Sequence, residues 1–122
     1  MNLSKHKEKA YRKGERAEQI AALFLTFKGY RVIERRYKTK VGEIDLIAVK
    51  GDTVIFIEVK ARETLKGGLY AVTPVAQKRI ARAARLYLQR KRKLQSYDCR
   101  FDLIVMRYGF WPYHLKHCWN TE

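Results

Sequence analysis

Two β-prone apolar runs, residues 41–49 and 54–59, flank Lys50-Gly51-Asp52-Thr53 and constrain this chain more than anything else in it. Gly-Asp is a two-residue hairpin loop with glycine at its first central position. The runs are therefore expected to pair antiparallel, with Val49 facing Val54, Ile47 facing Phe56 and Asp45 facing Glu58. The last pair is anomalous. Asp45 and Glu58 interrupt Ile44-Asp45-Leu46-Ile47 and Ile57-Glu58-Val59, where an ionised carboxylate is costly unless a cation meets it. Directly opposed side chains have Cβ atoms about 4.5–5.5 Å apart, and like charges so placed repel. A hard ion such as Mg²⁺, held by one or two carboxylates, relieves that repulsion. Neutralisation by the plentiful Lys and Arg relieves it too, and spacing alone leaves both open. Alternation puts Lys60 on the face of Glu58, opposite Glu43. An ammonium there can orient an attacking water or offset charge on an attacked phosphate, or it can form an ordinary cross-strand pair with Glu43.

The rest of the chain supplies a frame for this hairpin. Ile20, Ala21, Phe24 and Phe27 follow helical spacing in a helix that Gly29 ends. Residues 30–37 read as a strand, and residues 61–72, with Gly67-Gly68, as a flexible loop. Thr73-Pro74 is an N-cap and first-position proline, opening a helix to about Lys93. Residues 101–106 form an apolar strand, 109–112 turn the chain, and 113–119 make a last edge strand. The second helix is long enough for a right-handed crossover to a parallel strand. The expected fold is α/β: a mixed sheet in the order helix, three strands, helix, strand. A length of 122 residues allows one domain, residues 1–122, with 1–13 a basic, flexible segment.

The net charge of +15 implies a polyanionic partner, since a basic surface gains affinity by releasing counterions from phosphates. Residues 64–97 hold nine Lys or Arg and no acid. In the second helix Lys78, Arg82, Arg85 and Arg92 form a stripe opposite Ile80, Ala84 and Tyr87, suited to tracking phosphates. Arg35, Arg36, Lys38, Lys40 and Arg62 gather around the hairpin. That helix lacks the bulky apolar face of an interfacial helix, so nucleic acid is expected ahead of a membrane. The longest apolar stretch, 20–27, is too short to span a bilayer and has no cleavage site after it. Two cysteines without framework spacing suit a reduced, cytoplasmic protein. His114, His117, Cys99 and Cys118 have no zinc-site spacing. Asp102 is expected to be a structural partner for an Arg or a backbone donor, and Tyr37 and Tyr70 either stack on bases or pack.

Gly42-Glu43-Ile44-Asp45-Leu46-Ile47-Ala48, followed by Phe56-Ile57-Glu58-Val59-Lys60-Ala61-Arg62, resembles the signature of the YraN family of the restriction-endonuclease-like superfamily. The resemblance extends from Gly14 to Trp119 and includes Gly14-x-x-Ala17-Glu18, Thr73-Pro74 with Gln77, and Arg100-Phe101-Asp102. It implies a restriction-endonuclease-like core. It also implies a divalent metal, Mg²⁺ or Mn²⁺, on Asp45, Glu58 and the Val59 carbonyl, with Lys60 as catalytic lysine. Glu18 would correspond to the first-helix acid of junction-resolving nucleases. Gln77 would face the site as a water or phosphate ligand, or else lie on the helix surface. Relatives often carry Lys where this chain has Ala76, and the proline usual in the superfamily is here Ile44. The implied activity is metal-dependent hydrolysis of DNA phosphodiesters, selective for branched or junction DNA, in a possible homodimer; RNA stays open as a partner. The alternative is a non-catalytic nucleic-acid-binding module or accessory subunit that keeps the fold.

Overall fold

The computed structural model describes the backbone of residues 3–120 and side chains from Gly14 to Asn120. Helix α1 spans Leu3–Phe27 and leads into strands β1 (Arg31–Lys38), β2 (Glu43–Lys50) and β3 (Thr53–Ala61). Two helices follow, α2 (Leu65–Ala71) and α3 (Pro74–Arg90), then a 3-10 turn at Arg92–Leu94. Strands β4 (Asp98–Arg107) and β5 (Trp111–Trp119) close the chain. The five strands form one mixed sheet in sequence order, antiparallel except for the β3–β4 pair. The α3 crossover expected from the sequence makes that parallel pair. No helix among the described residues is long and apolar enough to cross a membrane.

The hairpin has the expected register, with Val49 opposite Val54 and Ile47 opposite Phe56. Gly51 takes φ 58° in its turn, a conformation that penalises any Cβ. The sheet carries a core on each face. Ile47, Val54, Phe56, Phe101, Leu103 and Val105 pack toward Ile80, Ala84 and Tyr87 of α3. On the other face Leu46, Ile55, Ile57, Ile104 and Met106 meet Ala17, Ala21 and Leu25 of α1. Phe27, assigned to the apolar face of α1 by spacing, is instead 92% exposed, and Leu25 fills the core position.

Residues 61–72 are not a loop throughout. Thr64 caps α2 by accepting from the Gly67 N–H at 2.9 Å, so the segment has a helix signal that its two glycines conceal. Gly68 is a packing residue: a Cβ there would sit 2.3 Å from Cγ2 of the buried Val105. Gly68→Ala is expected to lower stability by about 1–2 kcal/mol in urea melts. The overpacking penalty exceeds the helix propensity gained. The helix read to Lys93 ends at Arg90, which leaves Arg92 in the 3-10 turn, beyond the stripe of Lys78, Arg82 and Arg85.

Candidate functional site

The β2–β3 ladder runs only as far as Leu46 opposite Ile57, and then the strands part. Ile44 packs on the α3 face with Ile47, although strict alternation would put the two on opposite faces. The break in alternation falls at Asp45. Its Oδ2 accepts the Val59 N–H at 2.8 Å, so a side chain replaces a ladder carbonyl where the strands separate. The expected Glu43–Lys60 cross-strand pair is not formed: Glu43 lies opposite Lys38, and Lys60 opposite Val105. The pairing fails because the ladder has already ended. Gly42 permits the approach of α3 here, since a Cβ would lie 2.5 Å from the Arg79 carbonyl oxygen.

Asp45 still meets Glu58, and the two carboxyls share a hydrogen bond. Asp45 also hydrogen-bonds Glu18, which α1 brings to the sheet. The three acids thus touch in a chain, Glu18 to Asp45 to Glu58, with Asp45 in the middle. Burial is the main reason the Glu58 carboxyl is pushed up to about 10; the hydrogen bond and charge of Asp45 add to it, while Lys60 opposes. Glu18 is raised too, first by burial, against the hydrogen bond from Arg36. Arg36 Nε donates to Glu18 Oε2 at 2.7 Å. Arg36 itself stands at φ 52°, a left-handed conformation unfavourable for a non-glycine residue. Its place in the centre of the site had no sequence signal beyond its charge.

Among the described residues no group of three or more His, Cys, Asp or Glu is placed to hold a metal ion. The three acids instead lie against one another, with Asp45 between Glu18 and Glu58. A carboxyl raised mainly by burial, with Asp45 and then Glu18 adding to it and Lys60 opposing, is a donor set that a divalent cation would fit. Such an ion would offset the repulsion between them. Asp45 and Glu58 would hold it, with Glu18 beside them.

The acids open onto two clefts. Asp45 and Glu18 line one with Arg36, Lys38 and Glu43. Glu58 lines another, of about 620 Å³, with Lys40, Arg79 and Arg82. Arg79, absent from the stripe read off the sequence, is therefore a basic wall of the site. The structure does not bring Gln77 to the acids. Its Nε2 donates to the Val72 carbonyl at 3.1 Å, and it lines a separate groove with Lys78, Arg82 and Arg85. Arg35 lines a groove between α1 and β1, away from the acids, and the exposed Arg62 donates to the Ala61 carbonyl at 2.8 Å. Tyr37 packs edge-on against Tyr87, whereas Tyr70 is 73% exposed. Asp102 is the structural partner expected, taking both Arg100 Nε and Nη2.

These features define a class: a mixed α/β domain whose central strands splay around a three-acid cluster walled by basic side chains. A family model described as "Uncharacterised protein family UPF0102" matches residues 17–106, which include every residue of the cluster. The chain belongs to the UPF0102 family. It is 44% identical to a UPF0102 protein of Brucella canis over 93% of this chain and 90% of that protein. It is 45% identical to one from Chelativorans sp. (strain BNC1), covering 95% and 94% of the two chains. A UPF0102 protein of Bartonella tribocorum is 45% identical over 97% and 91%.

Proposed function

We propose that this chain is a divalent-metal-dependent endonuclease with a restriction-endonuclease-like core, which hydrolyses DNA phosphodiesters and prefers branched or otherwise irregular DNA. The observation that carries the reading is the contact chain Glu18–Asp45–Glu58 at the point where β2 and β3 part, with Lys60 acting on Glu58. The YraN-like signature supports it, because its acids and lysine are the residues gathered there. Mg²⁺ or Mn²⁺ bound by Asp45 and Glu58 would supply Lewis acidity toward a phosphate and lower the pKa of a water. The chain's own groups do the remainder. Lys60 offsets negative charge building on the attacked phosphate. Lys40, Arg79 and Arg82 hold the backbone in the Glu58 cleft, and Lys78 and Arg85 continue the track along α3. Arg36 keeps Glu18 turned toward the cluster.

The second reading, a non-catalytic nucleic-acid-binding module, draws on one feature: the Arg36–Glu18 pair partly neutralises the cluster without any metal. Cleavage of flapped, four-way and linear DNA in Mg²⁺ or Mn²⁺ separates the two. Asp45→Asn is expected to lower cutting by at least about 100-fold while leaving DNA retention in gel shifts. Wild-type binding without any cutting favours the module; undiminished cutting by the variant removes Asp45 from the chemistry.

A further inference from the structure

The β4–β5 hairpin exposes four aromatic rings. Tyr108, Phe110 and Trp111 are 66%, 63% and 56% exposed, and Tyr113 is 39% exposed. The Arg107 guanidinium lies 5.2 Å from the Tyr108 ring centre and 5.6 Å from that of Tyr113. No Asp or Glu occurs between residues 103 and 119, so the patch is aromatic and cationic without an acid.

Its position in the sheet ties it to the acid cluster. Lys60 lies opposite Val105, and Val105 opposite Tyr113, so the three form one row across β3, β4 and β5. In the next rows Ala61 meets Met106 and Pro112, and Arg107 meets Trp111. Strand spacing puts the backbone of Tyr113 about 10 Å from that of Lys60; Val105 between them is buried beneath Gly68 of α2, so a nucleic-acid strand joining the two would pass over α2. Exposed rings beside a cation and close to a basic cleft match the way unpaired bases are held. Every base has a π-face to stack, and the backbone follows the positive charge.

We infer that the β4–β5 hairpin is a stacking platform for single-stranded DNA, so that the site receives a substrate with unpaired nucleotides next to the scissile phosphate. The placement of that phosphate rests on the proposed nuclease function; the platform itself does not. A second copy of the chain suits the same surface less well. Strand β5 carries Pro112 and a break in its register with β4, and His117 stands at φ 57°. Such features blunt an edge against strand addition, and a patch bearing Arg107 is better matched to phosphate than to its own copy.

The two tryptophans make the test direct. Trp111 is exposed, and Trp119 is buried against Phe101 with ring centres 5.5 Å apart. Adding a twelve-nucleotide oligo-dT to the full chain is expected to quench Trp111 fluorescence, and a blunt duplex of equal length to quench it much less. Trp111→Ala with Tyr113→Ala is expected to weaken oligo-dT binding by about 100-fold, measured by anisotropy, since each ring contributes about tenfold. Trp119 emission reports that the double variant is folded. Equal oligo-dT affinity in wild type and double variant would overturn the inference. So would tighter binding of oligo-U than oligo-dT, which assigns the ligand to RNA, or loss of Trp111 exposure through dimerisation in sedimentation. Asp45→Asn is expected to keep the quench, so failure of cleavage and failure of the platform are read separately. Oligo-dT quenching without metal-dependent cutting leaves the platform standing and removes the nuclease; cutting with no effect of the double variant on flap preference does the reverse.

Discussion

Glu58→Gln is expected to raise the stability of the metal-free protein above pH 7 and, in the same variant, to abolish Mn²⁺ uptake. Glu58 is buried, touches Asp45 and has Lys60 as the opposing charge. Burial and Asp45 hold its proton well above the ordinary carboxyl value of 4.5, at about 10. The folded chain therefore keeps a proton that the unfolded chain releases. Stability from this group is complete below 4.5 and is lost progressively as pH rises toward the folded value. Across that window the slope is at most about 1.4 kcal/mol per pH unit, the linkage for one proton. Gln reproduces the protonated shape, and its amide still donates to Asp45. The variant loses the slope and gains roughly 2–3 kcal/mol at pH 8. Saturating Mn²⁺ flattens the wild type in the same way, because it binds the ionised form and only the folded chain offers the site. Urea melts at pH 5, 7 and 9, with and without Mn²⁺, read the slopes, and calorimetry reads the uptake. Wild-type stability that climbs with pH relative to the variant, or wild-type Mn²⁺ affinity in the variant, would sink the metal reading.

That prediction depends on a contact the sequence foreshadowed for an incomplete reason. Hairpin register was legible because a two-residue turn and a period of two leave one pairing that buries both apolar faces. Extending the ladder one pair further brought Asp45 to Glu58, and the acids do meet. They meet, however, because Asp45 leaves the alternation and takes the Val59 N–H, not because the ladder continues. A period of two has no term for a side chain that substitutes for backbone. Arg36 was hidden for a similar reason, since a left-handed arginine inside a strand has no residue-type signal. Gly68 misled in the opposite sense. A glycine selected for close contact with Val105 reads, in one dimension, like a glycine selected for flexibility. Gln77 fell outside the acids because Thr73 and Pro74 fix where α3 starts, and from there its amide reaches the Val72 carbonyl.

The largest loss of stability is expected on β4, from Asp102→Ala, at about 3–5 kcal/mol. Asp102 is fully buried. Arg100 donates to it from Nε at 2.9 Å and Nη2 at 2.8 Å, and the His117 N–H donates at 3.0 Å. His114 Nε2 lies 2.7 Å from its second oxygen. One carboxylate thereby satisfies the register break of β5, the strand at the sheet edge, and a guanidinium that also donates to Tyr30 Oη at 2.9 Å. Removing it leaves the buried His114 ring and the half-buried Arg100 guanidinium beside a void. Asp102→Asn keeps the volume but not the charge, so it is expected to lose less, roughly 1–3 kcal/mol. Burial on its own would raise the carboxyl, but the bonds from His114, Arg100 and His117 prevail and hold it at about 2. Here the sign is opposite to that at Glu58. The contribution is present above the ordinary value of 3.8 and is lost as pH falls toward 2, about 2 kcal/mol in all. Urea melts at pH 7, 4 and 2.5 test both statements, with Asp102→Asn expected to have a shallower acid limb than the wild type. Mn²⁺ uptake by folded Asp102→Asn is expected to match the wild type, since Asp102, although opposite Ile57 and one row from Glu58, bonds Arg100, His114 and His117 and none of the three acids. A variant as stable as the wild type at pH 7 would show that the Arg100 and His114 bonds are compensated by water and do not anchor β5.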